Sequence, residues 1–166
     1  PLVVNLPHYL YDMKAFVILV DNNPIQEVMR IEPHRRIEKI GTNIRLETTS
    51  PVRVVVLDSS NVWRVISKNV IVLTPGGCSA PKTNIKTKVL HPMDTGLVLD
   101  SDGNTIPEYY IDRMEFSDEE GLIAVIETFA SLSSNPMVML DLPNKGQNVR
   151  INMRDSQGNR FYGEGL

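Results

Sequence analysis

Cysteine is almost absent from this chain. Cys78 is the single thiol in 166 residues, which excludes an internal disulfide framework and leaves no second sulfur ligand for a zinc site. Folding that does not depend on oxidation is therefore expected. Long apolar runs are also missing: no segment approaches the roughly 18 residues that cross a bilayer, and the N-terminus lacks the basic, apolar and small-residue regions of a signal peptide. No membrane contact and no secretion by that route are expected. Neither sign of charge dominates, because 17 basic residues face 20 acidic ones for a net charge of −3. That balance argues against nucleic acid as a partner, which would call for a broad cationic face.

What the chain does have is a turn phrase, repeated between alternating apolar segments. Asp58-Ser59-Ser60-Asn61, Asp100-Ser101-Asp102-Gly103-Asn104 and Asp155-Ser156-Gln157-Gly158-Asn159 each read as a β-hairpin. In each, the Asp side chain satisfies local backbone donors and Gly or Asn supplies positive φ at little steric cost. β-Branched residues dominate both arms of the strongest hairpin, Val52 to Leu57 and Val62 to Ile66, with the only tryptophan, Trp63, just past the turn; Trp63 is expected to be mostly buried. Gly41 reads as a corner or bulge, and Pro75 to Pro81 as a loop that no regular element crosses.

Ser117-Asp118-Glu119-Glu120 has the form of a capping box, leading into Leu122, Ile126 and Phe129 at helical spacing. Gly121 and two β-branched clusters make a buried strand the rival reading. About ten short strands with turns every 8 to 12 residues predict a mainly β fold: an antiparallel β-sandwich or barrel, jelly-roll-like arrangements included, with at most one helix near 117-132. The expected division is an N-terminal extended arm over 1-11 and a single β-rich domain over 12-166. Unequal spacing of Asp58, Asp100 and Asp155 argues against an internal repeat.

Local windows offer little chemistry. His8, His34 and His91 are too far apart for a metal motif, and Asp100 to Asn104 lacks the remaining ligands of a calcium loop. Cys78 follows Gly76 and Gly77 but has no neighbouring base, and those glycines lack the spacing of a phosphate loop. No catalytic residue, cofactor or metal is expected. Binding to other protein subunits is expected instead, through Leu2, Val3, Val4, Leu6, Tyr9 and Tyr11 of the arm and through Arg35 and Arg36 of the basic stretch from Arg30 to Lys39.

Two resemblances bear on function. Pro1 followed by an apolar strand resembles the opening of the tautomerase family, which implies the N-terminal amine as a general base, although Pro7, Tyr9 and Tyr11 stand where that family needs a long helix. More broadly, the scarce cysteine, many short strands, Asp-Ser hairpins and Pro/Gly-bearing arms resemble bacteriophage and other viral structural proteins. That resemblance implies a non-enzymatic virion subunit, a capsid decoration or tail component, assembled in the host cytoplasm as a homo-oligomer or on capsid or tail proteins. The exposed share of the aromatics Tyr9, Tyr11, Trp63, Tyr109, Tyr110, Phe161 and Tyr162 keeps a carbohydrate-binding module as the alternative, with the tautomerase third.

Overall fold

The computed structural model describes residues 1–70, 85–143 and 148–165. Cys78, Gly76, Gly77, the Pro75 to Pro81 loop, Lys82 and the turn residues Asn144 to Gly146 lie outside the described residues. The strands are β1 (Leu2–Asn5), β2 (Ala15–Val20), β3 (Glu27–Pro33), β4 (Lys39–Thr42), β5 (Ser50–Leu57), β6 (Trp63–Val70), β7 (Ile85–Lys88), β8 (Ile111–Asp118), β9 (Gly121–Thr128), β10 (Met137–Asp141), β11 (Val149–Asp155) and β12 (Arg160–Gly165). They form two antiparallel sheets, one ordered β1-β4-β10-β7 and the other β12-β11-β8-β9-β3-β2-β5-β6. The result is an open β-sandwich, not a closed barrel. Alternation accounts for its core: Val52, Val54 and Val56 on β5, and Val149, Ile151 and Met153 on β11, point inward while their neighbours face out.

The choice left open over 117-132 falls to strand. Ser117 and Asp118 finish β8, Gly121 takes positive φ at 115° in a tight turn, and β9 follows. Its run Ile123, Ala124, Val125 and Ile126 is buried, so tertiary burial overrides the capping signal. Gly41 is not a corner either. It sits in mid-β4 opposite Met139, and a Cβ there would stand 2.5 Å from the Met139 Cε.

The strand orders contain a symmetry that the spacing of the Asp turns conceals. Replacing each of β1 to β6 by the strand six places later, and the reverse, turns both sheet orders into their own mirror reading. The first half of the chain and the second are thus two six-stranded half-sandwiches about a pseudo-two-fold axis. Among the described residues, strands of the two halves pair at β3·β9 and β4·β10, where Ile31 lies opposite Ile126 and Gly41 opposite Met139. Ile31 and Ile126 are both fully buried. Two of the three Asp turns occupy equivalent places, β5 to β6 and β11 to β12, and their bonding is the same. The Asp58 carboxylate accepts from the N–H of Ser60 and Val62, and that of Asp155 from the N–H of Gln157 and Asn159. Asn61 and Gly158 take the positive φ. The Asp100 turn repeats the geometry in an excursion between β7 and β8 that the first half lacks.

Candidate functional site at the overhanging edge

The smaller sheet has half as many strands as the larger, so it cannot cover it. β6 overhangs, and from Trp63 to Asn69 it is exposed on both faces. Trp63, expected in the core, is 56% exposed, with Val65 and Ile66 beside it at 57% and 63%. Its cross-strand partner Leu57 belongs to the outward row, so the side chain points away from the sandwich. At one end of this strand Arg64 donates to the Asp58 carboxylate at 2.8 Å and lies 5.5 Å from the centre of the exposed Tyr9 ring. Hydrogen bonds from the Val62 and Ser60 N–H and from Arg64 outweigh desolvation and hold the Asp58 carboxyl below its usual range. At its other end β6 finishes at Val70, eight residues before Cys78 in sequence.

The residues expected to bind partners fall into two groups. Leu2, Val3 and Val4 form β1, paired with β4, and Leu6 is buried in the core. Tyr9 is exposed, and Tyr11 is partly buried with Arg36 stacked near its ring. Arg35 forms a two-pronged ion pair with Asp118, which ties the first half to the β8–β9 turn of the second, and Arg36 pairs with Asp12 at 3.1 Å. Arg35 holds the Asp118 carboxyl low.

His8 and His91 stand at equivalent positions after β1 and β7, yet His8 is exposed and His91 buried. The His91 Nδ1 accepts the Met93 N–H, while its buried Nε2 has no hydrogen-bond partner among the described residues and lies 3.9 Å from Asp155 Oδ2. Desolvation lowers the His91 pKa against the raising fields of Asp155 and Asp94, so the ring is neutral near pH 7. Among the described residues no three His, Cys, Asp or Glu side chains gather in a metal-holding group.

Comparison with protein families divides the chain at the same place as its symmetry. The model of sulphur oxidation protein SoxZ matches residues 79–165, more than half of the chain. The chain belongs to the SoxZ sulphur oxidation family. The model of sulfur oxidation protein SoxY matches residues 2–78, so the first half is similar to SoxY and the boundary falls between β6 and β7. No curated protein matches the chain. These matches overturn the virion subunit, its capsid and tail partners and its virion location, all of which rested on texture shared by many β proteins. They equally leave the sugar-binding and tautomerase alternatives without support. Sequence reasoning set Cys78 aside for want of a base nearby. Cys78 is the final residue of the SoxY match.

Proposed function

We propose that this chain is a non-enzymatic sulfur carrier in which a SoxY-like and a SoxZ-like half, joined in one polypeptide, act together with other protein subunits. One observation carries the reading: the boundary between the two family matches coincides with the pseudo-two-fold division of the fold, and Cys78, the only thiol in the chain, is the residue at that boundary. A carrier must hold its cargo covalently, and thiolate sulfur is the group here that forms an S–S bond to a sulfur compound. A reactant already at the disulfide level, such as tetrathionate, loads it without an added oxidant: the Cys78 thiolate forms an S–S bond to one inner sulfur, and thiosulfate leaves with the electron pair of the broken S–S bond. The exposed, apolar β6 supplies a strand edge against which a processing partner can dock.

Intact-mass spectrometry of the chain isolated from its source cells, grown with and without thiosulfate, tests the reading. A sulfur adduct on Cys78 that a thiol reductant removes, with loss of thiosulfate oxidation in a Cys78→Ser strain, is expected. Unmodified Cys78 together with normal oxidation in that strain would contradict it.

A further inference from the structure

The outer face of the larger sheet carries a row of three arginines on adjacent strands. Arg154 on β11 is the direct cross-strand neighbour of Arg113 on β8 and of Arg160 on β12. Like charges placed opposite each other destabilise a sheet, and here two such pairs stand in succession. Two of the three are held in place by carboxylates that use only one edge of each guanidinium. Asp112 takes Nε and Nη2 of Arg154, the latter at 2.7 Å, and Glu115 takes Nε and Nη2 of Arg113, both at 2.9 Å. The Nη1 groups of both make no hydrogen bond among the described residues, and Arg160 has no ion pair there at all. The three line a groove of about 320 Å3 whose remaining polar walls are Asn152, Tyr162 and the Glu115 already committed to Arg113.

We infer that this groove binds a small tetrahedral dianion of the sulfate and thiosulfate class. Guanidinium forks match the paired oxygens of such an anion, and an Asn amide and a Tyr hydroxyl add neutral donors. Asp112 and Glu115 fix two forks before the ligand arrives, so little side-chain ordering is left for binding to bring about. The groove is wide enough to keep part of the anion's hydration. Only the choice of a sulfur oxyanion over another dianion rests on the proposed function; the groove itself rests on its geometry.

The test is a titration of Cys78→Ser protein with thiosulfate at constant ionic strength, followed by backbone amide shifts, with phosphate titrated in parallel. Using this variant removes covalent chemistry, so failure here and failure of the carrier reading are separate results. Saturable shifts at Arg154, Arg160 and Tyr162 are expected, weakened about tenfold or more by Arg160→Ala, in line with the loss of a charge-assisted bond. Arg160→Lys should fall between, because it keeps the charge without the fork. Shifts that never saturate, or a curve that Arg160→Ala leaves unchanged while both proteins melt alike, would overturn the site. Tenfold preference for phosphate would overturn the assignment to sulfur oxyanions.

Discussion

The two halves share a backbone plan and differ in what they turn outward. One cross-strand row shows this across all eight strands of the larger sheet: Arg160, Arg154, Arg113 and Glu127 in the second half, then Arg30, Val17, Val55 and Val65 in the first. Its second-half members are all charged, and three of the four in the first half are valines. Inward positions do not diverge in this way, since Val52, Val54 and Val56 on β5 and Asp58 just after it match Val149, Ile151, Met153 and Asp155 on β11 in place and in burial. The interior holds the plan, and the exteriors differ: an edge with Trp63, Val65 and Ile66 exposed in one half, an arginine groove in the other.

The core at the axis offers the largest lever on this comparison. Ile31→Ala and Ile126→Ala should each cost about 2–5 kcal/mol by chemical denaturation, and by similar amounts, because each packs against the equivalent of itself. A loss in one several times the loss in the other would break the symmetry as an energetic fact. Next come the turns. Asp58→Ala and Asp155→Ala each leave two backbone N–H donors without their acceptor, at about 1–3 kcal/mol. Asp100→Ala does the same on an exposed excursion outside both sheets, and should cost under about 1 kcal/mol. Equal losses at all three positions would show that the turn itself, and not its place in the half-sandwich, sets the cost.

The buried His91 adds a pH dependence to stability. Above the ordinary histidine value of 6.5 both folded and unfolded chains hold a neutral ring. Below it the unfolded chain takes up a proton that the folded chain, with its lowered pKa, does not. Stability should therefore fall as pH drops from 6.5 toward the folded value, and level off beneath it. Replacement His91→Gln should flatten that slope in melting experiments. Carboxylates with lowered pKa, Asp58 and Asp155 among them, act in a separate window below 3.8, where the stability they supply is lost on acidification. Smallest of all is the effect of Trp63→Ala on folding, within about 0.5 kcal/mol for an exposed site. A loss of 3 kcal/mol or more would return Trp63 to a core, contrary to its place on the overhanging strand.

How much of this was legible in the sequence follows from where each signal lies. The Asp turns and the alternating strands are local, so the β class and the hairpins could be read directly. The β9 strand could not be separated from a helix, because Leu122, Ile126 and Phe129 satisfy helical spacing and only burial against β3 and β8 decides. The pseudo-two-fold symmetry was hidden for another reason: equivalent strands share inward character and not identity, and the excursion carrying the Asp100 turn makes their separations unequal. Trp63 was misplaced because strand alternation gives its face but not whether anything covers that face. The arginine row joins Arg154 and Arg160 of one hairpin to Arg113, 41 residues before Arg154, and no local window contains all three.

The central claim is that the chain consists of two half-sandwiches whose strands, among the described residues, pair with each other at β3·β9 and β4·β10 and that correspond to two family units. Its most direct test is the mass in solution of residues 1–78 and 79–166 produced together as separate polypeptides. A one-to-one complex with the amide spectrum of the intact chain is predicted, because each half alone leaves the β3 or β9 edge unpaired and Ile31 or Ile126 uncovered. Two halves that stay apart, each folded by itself, would contradict the account.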